Sequence, residues 1–208
     1  MPQIALWRRP AKSGAHTPLV VLLHGRGADE RDLIGLADDL PRHAAYASVR
    51  APVPVDGGGY TWFENRGVAR PIPASLRASV RDLRAWLDGE AGAPPRERCF
   101  LFGFSAGMMM AGALLFDDPT RFGGAVLSSG ALALDADSNA KPGRLAGVPL
   151  FYATGSLDDV IPTELATATG SYLRERSGAE LVERTYRRGH GIAAHEVADI
   201  AAWLGERL

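Results

Sequence analysis

Two glycines bracket a serine in Gly103-Phe104-Ser105-Ala106-Gly107, the sharpest chemical signal in this chain. A serine hydroxyl is a poor nucleophile unless a base takes its proton, and the base needs a group that orients it. Both residue types follow downstream. GSLDDVIP (155–162) carries Asp158 and Asp159, and Gly189-His190-Gly191 comes later. The chain order serine, carboxylate, histidine is one known arrangement for acyl transfer through a covalent serine intermediate. Spacing alone leaves Asp158 and Asp159 undecided. His195 competes with His190 as base, but it falls within a predicted helix (194–207) and has less freedom to reach the serine. HGRGADE (24–30) is a fourth element, whose glycines let backbone turn in and add an N–H to an oxyanion hole beside the residue after the serine. It lacks both the G-x-x-x-x-G-K-[ST] and G-x-G-x-x-G patterns of phosphate-binding loops. The bland alternatives are a serine that caps a helix, a surface histidine and an ordinary glycine turn.

Such residues need a scaffold that brings distant segments together. PLVVLLHG (18–25), YASVRAP (46–52), CFLFGF (99–104), GGAVLSSG (123–130), VPLFYATG (148–155) and ELVERTYR (180–187) read as strands, several as continuous apolar runs suited to burial on both faces. Between them lie helical patterns. Leu33, Leu36, Ala37 and Leu40 precede Pro41, and Leu76, Val80, Leu83 and Leu87 form one stripe within 75–91. Residues 106–116 read as a helix, 163–178 as a helix with Thr163 as N-cap, and Val197, Ile200, Ala201 and Leu204 mark a closing amphipathic helix. Strand–helix alternation of this kind predicts a mainly parallel sheet with helices on both faces. Ligands then sit beyond the carboxyl ends of the strands, where Ser105, the two aspartates and His190 all fall.

The chain has 208 residues, which suits one domain spanning 1–208. With 46% apolar and 23% charged residues it is neither disordered nor fibrous. Its 23 basic and 24 acidic residues give a net charge of −1, so no global field draws nucleic acid or anionic membrane. One cysteine, Cys99, forbids an internal disulfide and a multi-cysteine zinc site. No run of 18 apolar residues and no signal-like N-terminus is present, so the expectation is a soluble, cytoplasmic protein without stable membrane insertion.

APVPVDGGGYTWFENRGVARPIPAS (51–75) is too long and too rich in Pro and Gly for an ordinary connection. Its Tyr60, Trp62 and Phe63 are candidates to wall an apolar pocket, the alternative being that Trp62 and Phe63 plug the core. Met108, Met109 and Met110 follow the serine; Met108 is a candidate substrate contact, although such a run more often fills a core. The length leaves little room for an inserted lid.

Leu23-His24-Gly25-x-Gly27, Gly103-Phe104-Ser105-Ala106-Gly107, Asp158-x-Val160-Ile161-Pro162 and Gly189-His190, in this order, make the sequence resemble the phospholipase/carboxylesterase family of small α/β-hydrolases, which includes the acyl-protein thioesterases. The resemblance runs from about residue 18 to the C-terminus. It implies an α/β-hydrolase fold without a large lid domain, Ser105 as nucleophile, His190 as general base and Asp158 as its orienting acid. The oxyanion donors map onto the backbone N–H groups of Arg26 and Ala106, and family members carry a Trp-Phe pair like Trp62-Phe63. Ala106 stands where acyl-protein thioesterases usually have glutamine, and Thr154 where a histidine often precedes the glycine; both resemble the bacterial esterase branch.

The expected activity is therefore hydrolysis of small-molecule carboxylic esters or thioesters, with no metal or organic cofactor and no nucleic-acid partner. Homodimers are common among relatives, so the resemblance adds a homodimer to the partners. The alternative is a non-catalytic protein of the same fold that binds a small apolar ligand, which has no need of all three residues. A metal-dependent hydrolase using His24, His190 and His195 is not supported by any H-E-x-x-H or comparable cluster.

Overall fold

A computed structural model of the protein describes residues 4–14, 16–89, 95–136 and 139–208. Along the chain run β1 (Ala5–Arg8), β2 (Leu19–Leu23), a 3-10 turn (Ile34–Asp38), β3 (Ala45–Val49), the short β4 (Val53–Pro54) and β5 (Tyr60–Thr61), α1 (Pro73–Asp88), β6 (Cys99–Phe104) and α2 (Ala106–Asp117). They are followed by β7 (Gly124–Ser128), β8 (Pro149–Gly155), α3 (Thr163–Ser171), β9 (Glu180–Tyr186) and α4 (Ala194–Gly205).

Seven strands form one sheet in the order β1-β3-β2-β6-β7-β8-β9, parallel throughout except for β1, which pairs antiparallel with β3 at the edge. The strands that read as continuous apolar runs are the interior ones. β2, β3 and β7 are buried at every residue, because each has a neighbour on both sides and a helical layer on both faces. Alternate side chains divide between two cores. Leu19, Val21, Leu23 and Leu101 pack with α1, α2 and the residues after α3 on one face, and Val20, Leu22, Phe100 and Phe102 pack with α4 and the 3-10 turn on the other. Each such leucine or phenylalanine contributes about 1.5–3 kcal/mol through removal from water. α1 shows why a single stripe suffices for an outer helix: Leu76, Val80, Leu83 and Leu87 face in, while Arg77 and Arg81 stay out. Trp203 of α4 meets Phe100 and Phe151 edge-on at 6.3 and 6.0 Å between ring centres.

The architecture is the mainly parallel sheet with helices on both faces that the alternation predicts, and no lid domain is inserted. Five details differ from expectation. Residues 33–40 make only a 3-10 turn, since Gly35 and the Asp38-Asp39 pair are weak helix formers; Leu33, Ala37 and Leu40 are still buried. Thr163 does not cap α3: Pro162 holds the N-cap position at φ −53° and ψ 128°, which makes Thr163 the first helical residue. The helix expected over 163–178 also relaxes into a π-type turn at Tyr172–Arg176. The helix expected over 75–91 ends at Asp88, and its last two positions lie outside the described residues. The 51–75 segment is not structureless, because β4 and β5 pair within it and Asn65 bridges to Pro71.

Candidate active site

Strand β6 delivers its chain to α2 through a single residue, Ser105, at φ 55° and ψ −115°. This left-handed conformation costs a residue with a side chain roughly 1–3 kcal/mol. Two close approaches hold it. A Cβ on Gly103 would lie 2.3 Å from the Gly107 oxygen, and one on Gly107 would lie 1.9 Å from the Leu23 oxygen, so only glycine fits at either position. The Ser105 N–H donates to Ser128 O at 3.0 Å, locking the turn to the neighbouring strand β7. Its side chain makes no capping bond to α2, so the hydroxyl is left for other work.

That hydroxyl lies 3.0 Å from Nε2 of His190, which sits on the loop between β9 and α4. Nδ1 of the same ring lies 2.9 Å from Oδ2 of Asp158, on the loop after β8. Oδ1 of Asp158 accepts the N–H groups of Val160 and Ile161 at 3.0 and 3.2 Å. Burial works against the Asp158 charge, but the hydrogen bonds from His190, Ile161 and Val160 outweigh it and hold the carboxyl below its ordinary range. Phe104 packs its ring 5.1 Å from that of His190. Asp159 is exposed, and His195 lies on α4, exposed and edge-on to Tyr186. The structure thus brings Ser105, His190 and Asp158 together and leaves Asp159 and His195 outside.

The loop after β2 runs beside the serine: a Cβ on Gly25 would come within 3.4 Å of the Ser105 Cβ. Among the described residues, neither the Arg26 nor the Ala106 backbone N–H has a hydrogen-bond partner, as two donors awaiting an oxyanion would require. This loop is stitched down from below. Gly27 N–H donates to Tyr60 O and Tyr60 N–H to Ala28 O, both at 2.8 Å, and Trp62 Nε1 donates to His24 O at 2.8 Å. The buried His24 ring accepts the Ala51 N–H on Nε2 at 3.1 Å and donates from Nδ1 to Gly25 O at 2.7 Å, a neutral tautomer favoured by burial, which pushes its pKa down. Glu30 pairs with Arg50 at 2.5 Å, and the guanidinium holds that carboxyl down to about 2.

A cleft of about 560 Å³ opens over the serine, lined by Phe63, Val68, Met109, Ala131, Val160 and Ile161 beside Ser105 and His190, with Arg26 at its edge. Of the four side chains expected to contact substrate, Phe63 lines it. Trp62 and Met108 do not: both are buried in the core. Tyr60 is also absent from the lining, and its hydroxyl instead faces Arg50 at 3.4 Å. Met109, one residue on, lines the cleft where Met108 was expected. Sequence reading passed over Asn65, Val68, Ala69 and Ala131 as well, which carry no chemical signature of their own.

A family model described as Phospholipase/Carboxylesterase matches residues 10–207. MhqD of Bacillus subtilis, which bears the name of a hydrolase, is 26% identical over 199 residues, covering 95% of this chain and 97% of its own. Acyl-protein thioesterase 1 of Eremothecium gossypii is 25% identical over 220 residues, covering 94% of this chain and 81% of its own. The crystal structure of a Bacillus cereus carboxylesterase superposes with a TM-score of 0.85 at 24% identity, covering 99% of this chain and 95% of that one, and so shares the fold.

Proposed function

The chain belongs to the phospholipase/carboxylesterase family of α/β-hydrolases, and from that membership we propose that it hydrolyses carboxylic esters or thioesters through an acyl-enzyme on Ser105. The observation that carries the reading is the unbroken relay from Ser105 Oγ to His190 Nε2 and from His190 Nδ1 to Asp158 Oδ2, at 3.0 and 2.9 Å. In the first half-reaction His190 takes the serine proton as Oγ attacks the carbonyl carbon. Negative charge gathers on the carbonyl oxygen, and the Arg26 and Ala106 N–H groups are the donors proposed to receive it. Collapse of this intermediate expels the alcohol or thiol, which leaves with the proton from His190. Water then repeats the sequence on the acyl-enzyme, with His190 again as base. Asp158 keeps Nδ1 protonated, so that Nε2 presents its lone pair to the serine, and it stabilises the imidazolium.

The largely apolar cleft suits an acyl or alcohol group without charge. A fluorophosphonate probe, followed by peptide mapping, tests the nucleophile: labelling of Ser105 is expected, and an unlabelled folded protein would defeat the reading. A panel of p-nitrophenyl esters from acetate to palmitate then reports the acyl length the cleft accepts.

A further inference from the structure

Seven residues, 187–193, join β9 to α4, and His190 lies at their centre between two glycines. A segment so rich in glycine has no local reason to hold an imidazole in one place. The structure supplies one from behind. Arg188 Nε donates to Glu196 Oε2 at 2.6 Å, and its Nη1 to Gly189 O at 3.0 Å. Glu196, in the first turn of α4, has no solvent exposure, and the Arg188 side chain is 10% exposed. The other Glu196 oxygen accepts from Ser128 Oγ at 2.7 Å. Ser129 Oγ donates to Gly191 O at 3.0 Å. The chain is therefore fixed both before and after His190, and the end of β7 is the anchor.

The same anchor reaches the other two reacting segments. Ser128 O accepts the Ser105 N–H, and Arg188 O accepts the N–H of Leu157, next to Asp158, at 3.0 Å. One buried polar chain thus runs behind all three: Ser105 to Ser128, Ser128 to Glu196, Glu196 to Arg188, Arg188 to the Asp158 loop. Burying a carboxylate and a guanidinium costs more than packing apolar groups of the same volume, so such a pair is weak evidence for stability alone.

We propose that the buried Arg188–Glu196 pair is a positioning element of the proposed triad, setting where His190 stands relative to Ser105 and Asp158. Neither residue touches substrate; both act through the backbone that carries the base. The inference rests on the triad reading above.

Glu196→Gln keeps the shape of the side chain but removes its charge, and it is the main test. A displaced base costs turnover far more than binding, so kcat for p-nitrophenyl acetate is expected to fall by about 10- to 100-fold, with KM changed by less than about twofold. The pH profile separates positioning from mere stability. Among the described residues, the charged groups near His190 include Asp158 in contact, Arg188 and Glu196 behind, Arg26 in the cleft lining, and the exposed Asp159 and Arg187. Removing the Glu196 charge leaves Arg188 uncompensated two residues from the ring, which disfavours the imidazolium and moves the acid limb of kcat/KM to lower pH. A folded Glu196→Gln protein with wild-type kcat would overturn the proposal, as would lowered kcat with an unmoved acid limb. Should that variant not fold, Arg188→Lys decides, because it keeps the charge but loses the two-pronged hydrogen bonding. It is expected to lose kcat with the acid limb in place, and full kcat would overturn the proposal. Ser105→Ala, measured alongside, separates the two levels: an active Ser105→Ala sinks the triad itself, whereas an inactive one beside a fully active Glu196→Gln sinks only the positioning role.

Discussion

Asp158 divides its two oxygens between His190 and its own loop: Oδ2 meets Nδ1 of the imidazole at 2.9 Å, and Oδ1 takes the N–H groups of Val160 and Ile161. The carboxylate is thereby held by the backbone while it holds the ring. Asp158→Asn keeps the volume but donates where the ring needs an acceptor, and is expected to cost about 10⁴ in turnover. Asp159→Asn, at an exposed position, is expected to cost less than about tenfold. Steady-state kinetics of the two variants side by side check this; a larger loss at 159 would contradict the assignment.

Ser105→Ala is expected to lower kcat by about 10⁶-fold in a folded protein, and His190→Ala by a similar factor, because residues that act as one unit are not additive. His195→Ala, on the outer side of α4, is expected to leave kcat within about threefold, as a surface change. Circular dichroism confirms folding, and the ester assay reads the rest. Reversed behaviour of the two histidine variants would identify the wrong base.

Gly107→Ala sets a methyl group 1.9 Å from the Leu23 oxygen, a backbone atom that cannot step aside without breaking β2. Loss of soluble protein or a large fall in Tm is expected. Gly35→Ala is the control, since nothing lies within 4 Å of its would-be Cβ and its φ is not left-handed. It is expected to leave Tm unchanged or slightly raised. Thermal unfolding of both variants checks the contrast.

Met108 and Met109 are adjacent and both buried in the same core, but only Met109 also reaches the cleft. Met108→Ala opens a hole in the core and is expected to cost about 2–5 kcal/mol of stability. Met109→Ala enlarges the cleft and is expected to shift the preferred p-nitrophenyl ester toward longer acyl chains. Urea unfolding reads the first effect and the ester panel the second; an unaltered chain-length profile for Met109→Ala would remove it from the acyl subsite.

Acid stability follows from Glu30 and Asp158. Both carboxyls lie below their ordinary values in the folded chain, Glu30 at about 2 against 4.5, so the unfolded chain binds more protons in acid. Their contribution is complete above the unfolded values and is lost as pH falls through the folded ones. Unfolding free energy is expected to be flat in this respect above about pH 5 and to decline below it. Glu30→Gln is expected to remove part of the slope between about pH 4.5 and 2 while lowering stability at neutral pH. A slope unaltered by that substitution would show that the Arg50 pair does not carry it.

Much of this arrangement is legible in the chain because the residues proposed to react stand directly after apolar runs, where a parallel sheet collects them. The elbow is readable from Gly103 and Gly107, whose missing side chains are a direct record of backbone contact. Other features leave no such record. α2 is buried at ten of its twelve positions, so its apolar pattern has no phase, and nothing in the sequence distinguishes Met108 from Met109. Tyr60 and Trp62 announce aromatic surface but not the direction it faces; their contacts beneath the Arg26 loop depend on the β4–β5 pairing. β1 is a four-residue edge strand alternating half-buried and exposed residues, too short for its pattern to stand out. Glu196 looks like any acidic residue in a first helical turn, and only the tertiary fold reveals that Arg188 and Ser128 enclose it.

The spatial sequence β2, β6, β7, β8, β9 places the Arg26 loop, Ser105, the Ser128 anchor, Asp158 and His190 side by side along one edge of the sheet. Their mutual distances are inherited from ladder register, and register changes only in whole-residue steps of about 3.3 Å. A one-step slip carries a donor clean out of hydrogen-bond range, so partly assembled chains are silent rather than sluggish. On the proposed mechanism, recovered esterase activity after dilution from denaturant is a clock for the docking of β9, the last strand along the chain. With Trp203 of α4 replaced by phenylalanine, fluorescence from Trp7, Trp62 and Trp86, all of which precede β9 in the chain, has no reason to keep the same time.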